Sequence, residues 1–381
     1  MATDALDLVA LRHDFHRHPE LGFQEERTKK KVAEILRALG LEVHEGIGVV
    51  GVLRAGDGNC AIGLRADLDA LPITEKSAHD YRSENVGVMH ACGHDGHTTM
   101  LLGADEQLSA NPTFNGTVVF IFQPNEEHGL GARAMLDEGL LERFPIEEVY
   151  AFHNLPGATL GEVSTRPGLI CSSESLFEIT IHGQGGHASM PHVGRDAITI
   201  GADMVQALQT IVSRKLAPGA GAVVSVTEFL TDGQRNVLPG TAILKGDVRA
   251  RSPQDRETIE ALMRAVVYGV AKTHGVKADF DFKTEFIETI NATVPTEAVI
   301  RAARASGFNV IRDRQPMSFS EDFAHFSAEV PGCFLLIGNG EEGPHGKPLH
   351  ANDYDFNDAL LPVGVRLWTE IVRDRLPERD A

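Results

Sequence analysis

The sequence predicts an α/β protein: a mainly parallel sheet flanked by helices, with a smaller β-α-β-β-α-β unit inserted into it. Three observations predict this. Short apolar runs alternate with helix-period segments in the first half of the chain, which is the pattern of strands buried on both faces beneath helices. From residue 175 the rhythm changes to half-buried strands separated by two long helices. Near Glu297 the first rhythm returns.

The elements follow in order. Residues 27–39 read as an amphipathic helix closed by Gly40. Residues 60–64 form a buried strand, 97–109 a helix, 117–122 a second buried strand, 132–138 a helix and 148–152 a third strand. In the second rhythm, 175–182 alternates as a half-buried strand and 196–215 is a long helix. Strands 222–230 and 241–250, a helix over 255–274 and a strand over 277–285 complete it. That order, in roughly 110 residues, is the ferredoxin-like unit. A helix near Glu297, a strand at 333–337 and a terminal helix from Asn357 return to the α/β pattern. Residues 1–172 and 286–381 therefore form one domain, and 173–285 is inserted into it. In parallel sheets the ligand site lies beyond the carboxyl ends of the strands.

Composition narrows the function. At roughly 150 residues per domain, 381 residues make two domains or three. Against 35 Lys and Arg stand 54 Asp and Glu, a net charge of −19, which argues against nucleic acid and anionic membrane surfaces as partners. Four cysteines without framework spacing point to a reducing compartment, and Cys60, Cys171 and Cys333 read as core residues. The acidic N-terminus is unlike a signal peptide, and no apolar run approaches the roughly 18 residues of a membrane span. A soluble cytoplasmic protein is expected.

The chemistry concentrates in His90-Ala-Cys-Gly-His-Asp-Gly-His97, where one thiol, three imidazoles and one carboxylate fall within eight residues. Cys and His are preferred ligands of zinc and neighbouring transition metals, and a nearby Asp can orient an imidazole. Gln123-Pro-Asn-Glu-Glu127 places two carboxylates just beyond a strand, where one can hold a metal and the other carry a proton. Alone it also reads as a solvated acidic turn. The next strand, however, ends in Phe152-His153-Asn154, and donors emerging from successive strand ends make coincidence a poor account. Asp67, in Arg65-Ala-Asp-Leu-Asp-Ala-Leu-Pro72, either orients a metal-bound His or is an ordinary turn acid. His350 is a lone loop histidine. In the inserted unit, Gly183-Gln-Gly-Gly-His187 presents either a lid residue that polarises a carbonyl or a mobile polar turn. Asn236 and Arg249 could clasp a substrate carboxylate. Gly46-Ile-Gly-Val-Val-Gly51 mimics a dinucleotide fingerprint but runs into a strand, so it is a hairpin turn. No G-x-S-x-G elbow and no Walker A sequence is present.

Taken in order, His16-Arg-His-Pro-Glu20, the Arg65 and His90 segments, Gln123 to Glu127, His153-Asn154, Gly186-His-Ala-Ser and Ser320-Glu-Asp-Phe resemble the M20 metallopeptidase family. The likeness is to its amidohydrolase branch of hippurate hydrolases, auxin-conjugate hydrolases and N-acetyl-diaminopimelate deacetylases. The resemblance implies that Cys92, His94, Glu127, His153 and His350 bind two divalent cations, with Mn²⁺, Zn²⁺, Co²⁺ and Ni²⁺ all compatible. It implies Glu126 as general acid/base, the inserted unit as lid and dimerisation domain, and His187 acting across a homodimer interface, a tetramer being the alternative assembly. Arg65 stands where other members place a metal-binding His, and Cys92 takes over as ligand. The expected reaction is hydrolysis of a hippurate-like N-acyl amino acid. A dipeptidase or carboxypeptidase and an N-acetyl-amino-acid deacetylase are the alternatives, and the retained Glu126 disfavours a non-catalytic metal binder.

Overall fold

The computed structural model describes residues 5–378. The chain forms two compact units. One runs through Ile170, takes up Thr289–Gln315 and continues from Asp322; the other comprises Cys171–Glu288 and Pro316–Glu321.

The first unit is built on an eight-stranded sheet. Its order is Glu42–Glu45, Val49–Ala55, Gly116–Gln123, Ala61–Asp67, Glu148–Pro156, Gly332–Gly340, Val163–Ser164 and Val310–Ile311. The four middle strands, from Gly116–Gln123 to Gly332–Gly340, are mutually parallel, so their carboxyl ends form one rim. Both sides of these strands are buried. Val118, Val119, Phe120, Ile121 and Phe122 are all 2% exposed or less, which explains the unbroken apolar runs. Helices Glu26–Ala38, His94–Ala110, Thr293–Ala305 and Leu361–Arg375 contribute to the same core, and Trp368 stacks on Phe152 at 4.3 Å.

The expected strands of this unit are present, and each runs further at its carboxyl end than the sequence pattern suggests. The helix expected from residue 97 begins at His94, because Gly93 caps it in a left-handed conformation before any apolar period is visible. The glycine segment at 46–51 is the expected hairpin, joining antiparallel strands through a Gly46 N–H to Gly48 carbonyl bond. Helix Leu8–Arg17 was not legible, since its buried face includes Arg12 and His16 beside Leu11 and Phe15. Cys60 corrects another expectation. It lies just outside strand Ala61–Asp67, is only partly buried, and its thiol donates to Glu147 at 3.4 Å. Cys171 and Cys333 are buried as expected.

The second unit carries a four-stranded antiparallel sheet in the order Val223–Thr231, Thr241–Ala250, Ser173–His182, Lys277–Phe286. Helices Ala197–Thr210 and Pro253–His274 cover it. Alternate residues Phe177, Ile179 and Ile181 meet Ile200, Met204, Leu208, Ile259, Met263 and Val267 in a separate core. The first helix is shorter than the expected 196–215, because a π-helical turn, Ile211–Lys215, ends it.

Candidate metal centre

The rim of parallel strand ends gathers side chains from distant parts of the sequence. Asp67 ends its strand, His153 lies near the end of Glu148–Pro156, and Glu126 and Glu127 follow Gln123 within a turn. His350 arrives on the loop after Gly332–Gly340 with a left-handed backbone, φ +65°. Cys92 and His94 flank Gly93, whose φ is +94°. A Cβ there would lie 2.3 Å from Asn154 Oδ1, so only glycine permits this approach.

The donors converge. Cys92 Sγ lies 3.3 Å from both His153 Nε2 and His350 Nε2. His350 Nε2 is 3.5 Å from Glu127 Oε2. His94 Nε2 faces Glu127 Oε1 at 3.9 Å, Glu126 Oε2 at 4.0 Å and Asp67 Oδ2 at 3.9 Å. Neighbouring backbone orients the rings: His94 Nδ1–H donates to the Asp69 carbonyl at 2.9 Å and His153 Nδ1–H to the Asn154 carbonyl at 2.7 Å. Their Nε2 atoms therefore turn toward the cluster. Four overlapping trios of donors result: Cys92, His94 and His153; Cys92, Glu127 and His350; His94, Glu126 and Glu127; and Asp67, His94 and His97.

These residues fit a divalent cation. His94 Nε2 and Glu127 Oε1 are buried without a hydrogen-bond partner, an arrangement that is costly unless something satisfies both atoms. A mixed thiolate, imidazole and carboxylate set suits zinc and its neighbours. Burial opposes charge on His94, but Asp67, Asp69 and Glu127 lift its pKa to about 10. Burial, reinforced by Asp69, pushes Glu127 up to about 7. Burial and the glutamates push the Cys92 thiol well above its usual range, while burial and His97 hold His153 well below its own.

A supporting layer surrounds the donors. Burial would raise the Asp67 carboxyl, but His94, His97 and Arg65 hold it well below the usual range. It receives His97 Nδ1–H at 2.7 Å and Arg65 Nη1–H at 2.9 Å. Arg65 also donates to Gln123 Oε1 at 2.7 Å, so it braces two strand ends where it binds no metal itself. The Asp322 backbone N–H donates to Glu126 Oε1 at 3.1 Å, and its carboxylate accepts from Gln123 Nε2 at 2.6 Å and Ala132 N–H at 2.7 Å. Asp69 Oδ2 accepts the Glu127 N–H at 3.1 Å. His97, Asp69 and Asp322 all stood inside the motifs read from the sequence, but nothing in their spacing assigned them these roles.

In the second unit, His187 and Asn236 belong to one small ribbon. His187 pairs in register with Val237, and the Asn236 carbonyl accepts the Ala188 N–H at 3.1 Å. His187 is exposed, and its Nδ1 accepts the Ser189 N–H at 3.1 Å, which leaves the ring proton on Nε2. Arg249 is not brought to this ribbon. It sits at the far end of the ten-residue strand Thr241–Ala250, about 25 Å from Thr241 at the rise of an extended chain. Its guanidinium is engaged by Asp247 at 2.9 Å, Ser320 Oγ at 2.9 Å and Glu174. The expected joint clasp by Asn236 and Arg249 is therefore absent within one chain.

A buried thiol, imidazole and carboxylate cluster at the ends of parallel strands is the site of a metal-dependent hydrolase. The profile of Peptidase family M20/M25/M40 matches residues 63–374, and the chain belongs to that family as a metal-dependent amidohydrolase. It is 37% identical over 366 residues to the hippurate hydrolase of Campylobacter jejuni, covering 95% of this chain and 94% of that one. It is 35% identical over 370 residues to the N-acetylcysteine deacetylase of Bacillus subtilis, covering 96% and 95%. The crystal structure of the Bacillus subtilis YXEP protein, a dinuclear metal-binding peptidase of the M20 family, superposes with a TM-score of 0.84 at 30% identity over 97% of each chain. Among the described residues, no helix is long and apolar enough to cross a membrane.

Proposed function

We propose that this protein hydrolyses the amide bond of N-acyl amino acids, hippurate-like compounds included, to a carboxylic acid and a free amino acid. The observation that carries the proposal is the division of labour between adjacent glutamates. Glu127 faces Cys92 and His350 as part of a donor trio, whereas Glu126 is held through Oε1 by the Asp322 N–H, with Oε2 turned toward the cluster.

Cys92, His94, Glu127, His153 and His350 would hold two divalent cations, Mn²⁺, Zn²⁺, Co²⁺ or Ni²⁺, which supply Lewis acidity toward water and the amide carbonyl. Glu126 Oε2 accepts the proton of the attacking water and returns it to the departing amine. The Asp322 N–H keeps that carboxylate from turning away. Asp67 fixes His97 and tempers the charge of His94. His187, with its proton on Nε2, donates to the developing oxyanion, and the Asn236 amide beside it binds the substrate carboxylate. The second unit acts as lid and homodimer interface, a role supported by exposed Val223, Phe229 and Leu230 along its edge strand. His187 then serves the partner's site. The names of the hippurate and N-acetylcysteine relatives support the N-acyl amino acid class.

The test is amino-acid release from a panel of N-acyl amino acids by metal-depleted protein resupplied with Mn²⁺, Zn²⁺ or Co²⁺. Restored release that Glu126→Gln abolishes by at least ~10²-fold, with its metal content intact, is the expected result. Cleavage of dipeptides alone would move the assignment to a peptidase, and full turnover by Glu126→Gln would remove that residue as the proton carrier.

A further inference from the structure

Outside the donor cluster, the segment between helices Leu8–Arg17 and Glu26–Ala38 is mated to the turn that carries Glu126 and Glu127. Glu25 is 1% exposed, and its Oε1 accepts the backbone N–H of Asn125 at 2.8 Å. Asn125 adopts φ +49°, in the left-handed region that asparagine enters more readily than other non-glycine residues, and its surroundings fix it there. The surroundings here do so from several sides. Asn125 Oδ1 lies 2.7 Å from His128 Nδ1, and its carbonyl accepts the Gly131 N–H at 3.1 Å. Gly22 presses on the same side chain so closely that a Cβ on Gly22 would stand 1.9 Å from Asn125 Oδ1 and 2.5 Å from Cγ. Across the turn, Asp69 receives the Glu127 N–H. The backbone N–H groups of the two residues flanking Glu126, Asn125 and Glu127, are thus each held by a buried carboxyl group.

We infer that Glu25 is a positioning residue for Glu126: by holding the Asn125 amide it fixes the left-handed turn from which the Glu126 side chain departs. The inference rests on the reading of Glu126 as proton carrier. Glu25 contacts the turn through backbone, so it acts on placement and not on metal retention. A carboxyl suits the task because its Oε1 accepts the amide N–H in either protonation state; burial and Asp69 push the Glu25 pKa up to about 7, so the bond gains charge assistance as pH rises past neutrality. A displacement on the order of 1 Å at a catalytic group can cost ~10²-fold in rate, and a turn that loses the anchor on its Asn125 amide has that freedom.

The experiment compares wild type, Glu25→Ala, Glu25→Gln, Glu126→Gln and the Glu25→Ala/Glu126→Gln double variant. The readouts are kcat, KM and bound metal, using an N-acyl amino acid that wild type hydrolyses. Glu25→Ala should lower kcat by about 10- to 100-fold while KM and metal content stay at wild-type values. Glu25→Gln, whose amide oxygen can accept the same N–H, should recover most of kcat. The double variant should be no slower than Glu126→Gln alone, since a residue acting through Glu126 has nothing left to place. Unchanged kcat in Glu25→Ala, metal loss that tracks its activity loss, or a multiplicative loss in the double variant would each overturn the inference. Failure of the underlying reading shows separately, as wild-type turnover by Glu126→Gln. If Glu25→Ala does not fold, Gly22→Ala perturbs Asn125 from the other side with Glu25 intact. The same kcat-only loss supports the assignment, and normal turnover by that variant refutes it.

Discussion

Cys92 Sγ and His350 Nε2 meet at 3.3 Å across 258 positions of sequence. The same sulfur stands 3.3 Å from His153, so Cys92 is the donor shared by two trios that otherwise have no member in common. A shared donor should be worth more than a peripheral one.

Cys92→Ala is therefore expected to lower the number of tightly held cations per chain further than His350→Ala does, because only the first removes a donor from both trios. Elemental analysis after exhaustive dialysis measures it. Equal stoichiometry in wild type and Cys92→Ala would rule out the sulfur as a ligand.

Metal uptake should release protons. Without metal, His94 is protonated up to about pH 10 and the Cys92 thiol beyond its ordinary range, yet both must shed a proton to coordinate. Affinity is thus expected to rise with pH, with about two to three protons released per chain near neutrality, since Glu127, raised to about 7, adds the fraction it still holds. Calorimetric titration with Zn²⁺ in buffers of different ionisation enthalpy reads the number directly, and a heat independent of buffer would contradict it.

Stability should fall on the alkaline side through His16. The ring is wholly buried between Asp95 Oδ2 at 2.8 Å and Glu75 Oε1 at 3.4 Å. Burial opposes its charge, but Asp95 and Glu75 raise its pKa from 6.5 to about 9. A raised folded-state pKa stabilises fully below the unfolded value and fades as pH climbs through the folded one. His16→Gln should therefore flatten the decline of the urea midpoint between pH 6.5 and 9 relative to wild type. Parallel curves for the two proteins would show that His16 is not charged.

Gly93→Ala should destabilise by roughly 2–4 kcal/mol, through an unfavourable φ and a side chain forced onto buried atoms. The added Cβ would stand 2.3 Å from Asn154 Oδ1 and 2.8 Å from the Tyr354 hydroxyl. Urea unfolding measures the loss, and a change within experimental error would mean that the helix start relaxes freely.

Periodicity was enough to read the parallel strands and the long helices of both units, because each buries residues of one kind on a fixed repeat. It failed for Leu8–Arg17, where fully buried Arg12 and His16 occupy the inward face and satisfy one another's neighbours, Asp95 and Asp358, by charge. The cluster of Cys92, His94, Glu127 and His153 was legible because unusual residue types gather at strand ends, whereas His350, a lone loop histidine, joined them only through the family resemblance. Glu25 could not, since a carboxylate that holds a backbone amide 100 positions away leaves no mark on its own neighbourhood. That Asn236 and Arg249 do not meet within one chain was hidden for the converse reason. Both are plausible carboxylate binders by type, but distance along a strand separates them.

The order of strands also carries a consequence for how the molecule is made. Gly332–Gly340 pairs with Glu148–Pro156 on one side and Val163–Ser164 on the other, yet it is synthesised after the whole inserted unit. While a ribosome is still translating residues 171–331, the emerged part of the sheet ends at an open, apolar edge along Glu148–Pro156. Such an edge invites pairing with other chains, so a nascent chain stalled in that interval should bind chaperones, and one extended beyond Gly340 should release them. The last donor, His350, emerges only after that gap is filled, so the trio of Cys92, Glu127 and His350 closes only on a sheet already complete.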